Sequence, residues 1–531
     1  MSSSASKFVW NRSNLIRACL WSVGIALLLG IYTFGIGNNP PGFYVDESGL
    51  AYNAYLVSTT GAGEFGPRFP LYFQLYTGGF TQYSNPTQIY LLALVFKLFG
   101  PGILIARLLA AASVFAASLL LGALAARISG KRRIGVLVAF SALLTPWLFE
   151  VSRLVLETFF YPMAVVLFLS AVYSAQRKDK WTWTGITAVA LTLTLLTYSY
   201  TIGRLLGPLL ALGLICFAVN KYRLLSIFKT WVLYGLSLIP LGVFIQRNPD
   251  ITTRFYLLSY IKPESSFIEI IFQFAGRYVE DHNPVRLLTI GDINPRHHLP
   301  DAFGSFFAAM FILAVIGFVV VIVSHRSDPW WRFVLFGLAA SLVPGALTVD
   351  TLHTLRMIAY PIFLLLLTAP AFEWLLENKA AEVGVDEAES DNTHEKKNPH
   401  WNTILSLPLR HGLLAALLAL TVFEASYFHW KYYQEGPKRG YVFDTAYKPL
   451  YDTAVAQPLR PIYLVDAYWG PAYIHSFWYA TLEGRNIDEF IHQPYGKRPP
   501  AEAIVISTEQ NCTDCTLIRR SGDYLLYTTT K

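Results

Sequence analysis

Apolar runs about as long as a bilayer is thick recur along most of this 531-residue chain. A helix needs about 20 mostly apolar residues to cross the hydrocarbon core. The runs fall at about 15–36, 103–125, 134–149, 158–175, 182–198, 204–219, 227–245, 303–324, 332–348, 356–376 and 409–428. They predict an all-α polytopic membrane protein with about eleven transmembrane helices.

The composition supports this class of protein. Hydrophobic residues make up 54% of the chain and charged residues 15%, whereas soluble domains have about 25% charged residues. The net charge of +7 does not indicate a nucleic-acid partner, because Lys and Arg lie mainly in short connectors between apolar runs. Membrane lipids are the expected surroundings. The basic N-terminal segment lacks a small-residue cleavage site, which favours a retained signal-anchor.

The connectors between the runs alternate in charge. Those rich in Lys and Arg are 126–133, 175–180, 220–229 and 324–332. Those with a single Arg are 150–157, 197–204 and 349–356. Cytoplasmic loops carry an excess of positive residues, so we expect a multi-pass protein of the cell membrane with a cytoplasmic N-terminus. The second set then lies on the external face, together with the long segments 37–102 and 246–302.

One apolar stretch, 88–99, is too short to cross a bilayer. Its length is typical of a helix that lies in the membrane interface, within the first external loop. If it crossed the membrane, every later loop would change sides and the basic connectors would face outward. The charge pattern therefore favours an interfacial helix.

The predicted transmembrane domain is 1–428. One polar segment interrupts its apolar runs, and a second segment follows the domain. The acidic, aperiodic tract 377–403 predicts a disordered cytoplasmic loop. Residues 429–531 predict a small external, or periplasmic, α/β domain, in which PIYLVDAY and AEAIVIST are strands and PAYIHSFWYATLEG is a helix. Near its end, Cys512 and Cys515 form a lone CxxC, for which a local disulfide is more plausible than a zinc site.

Polar side chains at the external ends of the runs are the candidates for function, because such groups are costly near a bilayer. They are Asp46 and Glu47 after the first run, Arg153 and Glu157 after the third, Tyr198, Tyr200 and Arg204 after the fifth, and His353 and Arg356 before the tenth. Arginines of such a set can bind an anionic headgroup, and a carboxylate can accept a proton.

Structural interpretations compete with this one. Acidic loop residues are commonly solvated, and interfacial tyrosines form an aromatic belt. Arg107 and Arg204, at span ends, are each expected to extend toward lipid phosphate if they have no other role. Arg153 and Glu157, four residues apart, share a face if that turn is helical and can pair with each other. His353 can be a capping or packing residue.

Several short motifs, taken in order, resemble landmarks of one family. They are GFYVDE after the first run, an interfacial helix ending in LFG-P, an Arg opening the second run, SRLVLE, YSYTIGR and HTLRMIAYP. Their order and topology are similar to those of the GT-C membrane glycosyltransferases, in the branch of protein O-mannosyltransferases and lipid A aminoarabinose transferases (glycosyltransferase family 39 type). The resemblance covers roughly residues 15–376.

The resemblance implies a donor sugar on a polyprenyl phosphate and an acceptor hydroxyl on an envelope glycan, lipid or protein. It implies that Asp46 is the catalytic base or holds the acceptor, with Glu47 as its supporting neighbour. Arg204 and Arg356, and also His353, are the implied ligands of the donor phosphate. The residues implied to line or shape the cleft are Tyr44, Arg153, Glu157, Tyr198 and Tyr200.

Two features depart from the family pattern. Many relatives have a Lys before the proline that leads the interfacial helix, whereas this chain has Ser84-Asn85-Pro86. No β-trefoil insertion is visible, which favours a bacterial relative whose acceptor need not be protein.

The expected reaction is an inverting transfer, with Asp46 partly desolvated by Phe43, Tyr44 and Tyr52. A lipid-linked donor needs no nucleotide-binding fold, and the sequence has no phosphate-binding loop motif. No cofactor is required and no metal site is predicted, although a divalent metal beside the carboxylates stays open. The alternatives are a ligase or polymerase of lipid-linked glycans and, with less support, a transporter, whose charged residues belong near the midplane.

Overall fold

The computed structural model describes residues 12–75, 81–377, 405–467, 471, 473–493, 496–508 and 514–530. Up to residue 435 the described chain is mainly helical, with one short antiparallel hairpin of β1 (Phe73–Leu75) and β2 (Gln82–Ser84). The helices of this part are α1 (Arg12–Tyr32), α2 (Val45–Thr60), α3 (Pro86–Phe99), α4 (Ile103–Ser129), α5 (Arg132–Leu144), α6 (Pro146–Val151), α7 (Tyr161–Gln176), α8 (Trp183–Ser199), α9 (Gly203–Gly213), α10 (Lys221–Arg247), α11 (Thr253–Leu258), α12 (Phe267–Asp281), α13 (Pro284–Thr289), α14 (Ala308–Ser324), α15 (Pro329–Ala340), α16 (Val343–Ala346), α17 (Tyr360–Leu376) and α18 (Leu407–Glu435).

Each predicted apolar run contains a helix, but the number of spans is not confirmed. In the described part of the chain, three helices are long and apolar enough to cross a membrane: α4 and α10, of 27 residues each, and the 36-residue stretch Leu407–Val442. Some runs form two shorter helices; α5 ends at Leu144 and α6 begins at Pro146. Proline has no N–H to continue a helix, so it divides the run. Crossings by the shorter helices stay a prediction.

The two sets of connectors lie at different ends of the helical part. Lys131 and Arg133 of the first basic connector both pair with Glu377, next to α17. The ring of Tyr173, near the second basic connector, lies 4.9 Å from that of Trp330 in the fourth. The loops 37–44, 150–160, 197–204, 291–307 and 347–359 meet elsewhere, at what we call the loop end. The charge pattern therefore predicted which loops lie at the same end of the helical part. Which of the two ends faces the cytoplasm stays a prediction.

The short apolar stretch 88–99 is helical, as predicted, and forms most of α3. At 14 residues and about 1.5 Å per residue, α3 is about 21 Å long, less than the hydrocarbon core of a bilayer. Its buried face includes Leu92 and Phe96, which belong to one core with residues of α2. Whether α3 lies in a membrane interface stays a prediction.

The described residues after α18 form a mixed five-stranded sheet with two α-helices. These elements are α19 (Tyr447–Val455), β3 (Ile462–Val465), α20 (Tyr473–Glu483), β4 (Phe490–Gln493), β5 (Ile504–Ser507), β6 (Cys515–Ser521) and β7 (Tyr524–Thr529). The strand order is β4-β3-β5-β7-β6, in which β3 pairs in parallel with β4 and β5. The two predicted strands and the helix between them are confirmed as β3, β5 and α20.

The sheet domain is docked onto α2 through aromatic packing. Trp478 of α20 is fully buried, and its ring stacks 5.8 Å from Phe43 and 5.8 Å from Phe96. Burial of one such side chain contributes about 1.5–3 kcal/mol. Because of this docking, the C-terminal sheet contributes to the surroundings of the first acidic pair.

Some predicted features fall partly or wholly outside the described residues. The predicted loop 377–403 does so except for Glu377. Cys515 is disulfide-bonded, but Cys512 is not among the described residues, so their pairing stays a prediction.

Candidate active site

Glu47 of the adjacent acidic pair is a buried structural residue. Its side chain is 1% exposed and accepts hydrogen bonds from the backbone N–H of Tyr44 and of Val155, each at 2.9 Å. The first bond is the reciprocal half of a capping box at the start of α2. The guanidinium of Arg107 is 3.4 Å away and completes the surroundings of the carboxylate. Glu47 thus joins α2, α4 and the loop after α6.

Arg107 does not extend toward lipid phosphate, so that expectation is wrong. Its side chain is fully buried on α4 and donates to the carbonyls of Pro40 (2.6 Å) and Gly42 (2.8 Å) as well as to Glu47. A guanidinium has N–H donors on both Nη atoms, and here Nη1 and Nη2 bind the loop that leads into α2. The sequence could not show this, because backbone carbonyls have no residue-specific pattern.

Asp46 is half-buried and lies in the first turn of α2, where the helix dipole favours a negative charge. The start of this helix is held in place on the side of the sheet domain. The N–H of Val45 donates to Asp444 Oδ2 at 2.9 Å. The two neighbouring carboxylates therefore differ: Glu47 is enclosed by the fold, whereas Asp46 lies where α2 begins.

Tyr44, two residues before Asp46, lies under an arginine that the sequence did not single out. The Arg296 guanidinium carbon is 3.4 Å from the centre of the Tyr44 ring, and Arg296 Nε donates to the carbonyl of Val442. Such cation–π stacking fixes the plane of the guanidinium. By contrast, Phe43 and Tyr52 are buried where the sheet domain packs against the helical part. Phe43 lies beside Trp478, and Tyr52 lies beside Phe477.

Arg153 and Glu157 do not pair, since the segment between α6 and α7 is not a regular helix. Arg153 is fully buried and donates to the carbonyls of Tyr32, Phe34 and Asn39 at 2.9–3.3 Å. Its guanidinium carbon lies 4.3 Å from the centre of the Phe149 ring. Arg153 therefore fixes the chain between α1 and α2.

Glu157 binds the segment where many members of the GT-C family have a lysine. Its carboxylate accepts from the Ser84 hydroxyl, from the Asn85 backbone N–H at 2.9 Å and from Asn85 Nδ2 at 2.8 Å. Asn85 Oδ1 in turn accepts from Arg204 Nη2 at 3.3 Å. The Arg204 guanidinium carbon lies 4.8 Å from the centre of the Tyr72 ring. Arg204 has no ion pair among the described residues, so its charge is not neutralised by a carboxylate there.

Tyr198 and Tyr200 have different surroundings. The Tyr198 hydroxyl donates to the carbonyl of Ser237 at 2.8 Å, and its ring stacks 6.0 Å from that of Tyr72, beside Arg204. The Tyr200 ring meets that of Tyr161 edge-on at 5.8 Å. Tyr198 is therefore part of the surroundings of Arg204.

His353 and Arg356 lie in the loop before α17. Arg356 donates to Thr348 Oγ1 at 2.8 Å and pairs with Asp350 at 2.7 Å, so its charge is partly balanced. Burial and, next, the Arg356 guanidinium lower the pKa of His353 to about 3. The imidazole is then neutral near pH 7 and offers a phosphate a hydrogen bond rather than a charge.

The loop 291–307 carries functional groups that the sequence interpretation missed. Asp292 Oδ2 accepts from His297 Nδ1 at 3.2 Å and from the N–H and hydroxyl of Thr354, each at 2.8 Å. His298 Nδ1 lies 2.6 Å from Glu150 Oε2. Burial lowers the pKa of His298, but the Glu150 carboxylate reverses that effect and raises it overall. The signal was present as DINPRHH, two histidines and an aspartate near a proline.

Together these contacts bring the predicted residues to one end of the helical part. The segment 150–157 is the link, because Glu150 contacts the loop with His298, Val155 binds Glu47, and Glu157 binds Asn85. Trp147 Nε1 also donates to the carbonyl of Thr354 at 2.9 Å. The loop end therefore contains the half-buried carboxylate of Asp46 and arginines from three separate loops. These arginines are Arg204, Arg296 and Arg356.

Comparison with known proteins identifies a fold but no sequence relative. No protein-family model and no curated protein sequence matches the chain. Among solved structures, ArnT from Cupriavidus metallidurans bound to undecaprenyl phosphate has a TM-score of 0.57 at 12% identity, over 96% of this chain and 98% of its own. Its apo structure has a TM-score of 0.54 at 13% identity, with the same coverage.

A second match is the archaeal oligosaccharyltransferase AglB from Archaeoglobus fulgidus, in complex with an inhibitory peptide and a dolichol-phosphate. The TM-score is 0.51 at 14% identity, over 90% of this chain and 65% of AglB. At such identities the likeness is one of fold. It includes the C-terminal sheet domain in the case of ArnT, because nearly the whole of both chains is matched. The chain has the fold of the GT-C glycosyltransferases, as its motifs predicted.

Proposed function

We propose that this protein is a membrane glycosyltransferase that moves a sugar from a polyprenyl-phosphate donor to an acceptor hydroxyl at the loop end. The observation that carries the proposal is that segment 150–157 binds both the start of α2, with half-buried Asp46, and Asn85, which orients Arg204, on a GT-C fold. The matched structures support the donor class, since ArnT is bound to undecaprenyl phosphate and AglB to a dolichol-phosphate.

In the proposed reaction Asp46 is the base. The acceptor oxygen forms a bond to the anomeric carbon while the bond from that carbon to the phosphate oxygen breaks, and the acceptor proton passes to the Asp46 carboxylate. Attack opposite the leaving group inverts the anomeric configuration. Glu47 acts as a positioning residue, because its contacts fix the first turn of α2 and hence the Asp46 backbone.

The leaving lipid phosphate carries negative charge that the protein has to stabilise. Arg204 is the stronger candidate, because Asn85 and Tyr72 orient its guanidinium while no carboxylate of the described chain pairs with it. Arg356 is the second, although Asp350 competes for its charge. In this proposal Asn85 does not replace the missing lysine of the family; it supports an arginine from another loop.

A second candidate is the transfer of a whole lipid-linked oligosaccharide. The fold match with the oligosaccharyltransferase AglB favours it, at a TM-score of 0.51. The two candidates share the base and the phosphate ligands and differ in the size of the sugar that is moved.

The test uses the purified full-length protein in proteoliposomes with polyprenyl-phosphate sugars, lipid-linked oligosaccharides and a panel of glycan, lipid and protein acceptors. We expect transfer of one sugar to at least one acceptor, measured by mass spectrometry of the product. Transfer only from the oligosaccharide donors supports the second candidate. Gradient-driven uptake of a soluble solute without any transfer contradicts both and supports a transporter.

A further inference from the structure

Three side chains at the loop end form a cluster, and of these only His353 is among the residues predicted to bind the donor phosphate. Asp292, His297 and His353 each present a ligand atom, and these atoms lie within 4.8 Å of one another. Asp292 and His297 come from the loop before α14, and His353 comes from the loop before α17. The cluster therefore joins two segments that are more than 50 residues apart in the sequence.

The distances suit a metal ion after a small contraction. Ligands at about 2.0–2.1 Å from a tetrahedral ion lie about 3.3–3.4 Å apart. Asp292 Oδ2 and His297 Nδ1 are already 3.2 Å apart. The widest pair in the cluster has to approach by about 1.4 Å, within reach of a rotation of the His353 side chain.

The groups around the cluster are those that usually orient metal ligands. Thr354 donates its N–H and its hydroxyl to Asp292 Oδ2, each at 2.8 Å, and the N–H of Asn294 donates to Oδ1 at 2.9 Å. Hydrogen bonds of this kind fix a ligating carboxylate. His353 Nδ1 is buried and has no hydrogen-bond partner in the described part of the chain. A ring nitrogen left without a partner in a buried position is costly, and a metal ion satisfies it.

The ligand types select the class of ion. Two imidazoles and one carboxylate suit divalent zinc and its neighbours, whereas Mg²⁺ and Ca²⁺ prefer oxygen ligands. Three protein ligands leave one tetrahedral position for water or another oxygen ligand, as in catalytic rather than structural zinc sites. His353 is the one ligand of the three that is not fully buried, so the fourth position is expected on its side.

We propose that Asp292, His297 and His353 bind a divalent transition-metal ion of the zinc type and thereby join the loops that carry Arg296 and Arg356. Arg296 precedes His297 and stacks on Tyr44, which is two residues before Asp46 in the sequence. Arg356 follows His353 by three residues. The ion fixes both arginines relative to Asp46. Its open position is a ligand site for a phosphate oxygen; only this last statement rests on the proposed function.

The competing interpretation is a hydrogen-bonded Asp292–His297 pair with the His353 ring packed at 4.8 Å. The experiment uses the metal alone, so it does not depend on donor or acceptor. Full-length protein in detergent is stripped with a chelator and titrated with Co²⁺, whose visible absorption reports four-coordinate binding, and with Zn²⁺ in competition. We expect one Co²⁺ per chain, displaced by Zn²⁺, and a rise in Tm on binding.

Variants assign the site. His297→Gln and His353→Gln are expected to abolish the visible absorption band of bound Co²⁺. Thr354→Val is expected to weaken Co²⁺ binding by about 10–100-fold. His282→Gln is the control, since this histidine directly follows α12 and its Nδ1 contacts the carbonyl of Tyr278 in that helix. Fewer than about 0.1 Co²⁺ per wild-type chain would overturn the proposal whether or not a variant folds. So would an equal band in the wild type and both ligand variants. Metal binding without any sugar transfer would leave this site standing and overturn only the proposed function.

Discussion

At the residue scale, the structure gives the two adjacent carboxylates different roles. Glu47 is enclosed by two backbone N–H groups and Arg107, whereas Asp46 is half-buried at the start of the same helix. Neighbouring residues in the first turn of a helix point in directions about 100° apart, so one can enter the core while the other faces a cleft. Catalysis is therefore expected to depend on Asp46 directly and on Glu47 through folding.

The first prediction concerns stability. Glu47→Gln leaves the buried Arg107 without its counter-charge and is expected to lower the free energy of unfolding by about 3–5 kcal/mol. Asp46→Asn keeps the size of a half-buried side chain at the start of α2 and is expected to lower the free energy of unfolding by about 1 kcal/mol or less. Thermal unfolding in one detergent compares the two variants. Equal losses would contradict the division of roles.

The second prediction concerns the donor phosphate. Arg204→Gln removes charge-assisted hydrogen bonds worth about 1.5–3 kcal/mol and is expected to weaken binding of undecaprenyl phosphate by about 10–100-fold. The control is Arg127→Gln, at the basic end, where the side chain contacts Ser174. Native mass spectrometry or a lipid-competition assay measures the affinity. An unchanged affinity in Arg204→Gln would remove Arg204 from the site.

The sequence predicted which charged residues share the loop end but not what each one contacts. Topology alone grouped Asp46, Arg204 and Arg356. The partners of Arg107 and Arg153 are mostly backbone carbonyls, which no side-chain pattern reveals. Such roles depend on loop conformation and were accessible only from the structure.

At the element scale, the apolar runs were sufficient to predict the helices and the two central strands of the C-terminal sheet. They did not predict where a run divides, because a proline such as Pro146 interrupts the N–H pattern without changing the hydropathy. Nor did they show that α2 is capped by a residue almost 400 positions away, since Asp444 accepts from the N–H of Val45. Long-range capping has no local signal.

The third prediction tests that cap. Asp444 also accepts from the Tyr524 hydroxyl at 3.0 Å and pairs with His475, whose other ring nitrogen contacts Ser48. Asp444→Ala is expected to cost about 1–2 kcal/mol, the range for a lost N-cap, and to speed hydrogen exchange at the start of α2. Asp452→Ala, which removes an exposed pair with Lys448, is the control. Unchanged exchange at Val45 would contradict the cap.

At the scale of the whole molecule, the C-terminal sheet domain and the helical part share one core around α2. A hydrogen bond also joins them, since the Tyr473 hydroxyl, from that core, donates to Glu64 Oε1 at 2.6 Å. Burial raises the pKa of Glu64 to about 7, against the lowering effects of Tyr473 and of His492. The interface between the sheet domain and the helical part therefore contains a carboxyl, that of Glu64, which ionises near neutral pH.

The fourth prediction is that the stability contributed by this interface depends on pH. The folded pKa of Glu64, about 7, is above its unfolded value of 4.5, so the folded state binds more protons between these values. Its contribution to stability is complete below about pH 4.5 and is lost as the pH rises through about 7, by at most about 3 kcal/mol. Glu64→Gln is expected to remove this part of the decline in Tm between pH 5 and pH 8. Glu435→Gln, at a half-exposed side chain, is the control. An identical decline in Glu64→Gln and the wild type would contradict the assignment.

The central claim is that the loop end transfers a sugar with Asp46 as the base. Its most direct test is acceptor-dependent release of polyprenyl phosphate by full-length protein in a single turnover, compared between the wild type and Asp46→Asn. We expect one lipid phosphate released per sugar transferred, an inverted anomeric carbon in the product, and a rate about 10²–10⁴-fold lower in Asp46→Asn at unchanged donor affinity. Transfer by Asp46→Asn at the wild-type rate, or retention of anomeric configuration, would contradict this account.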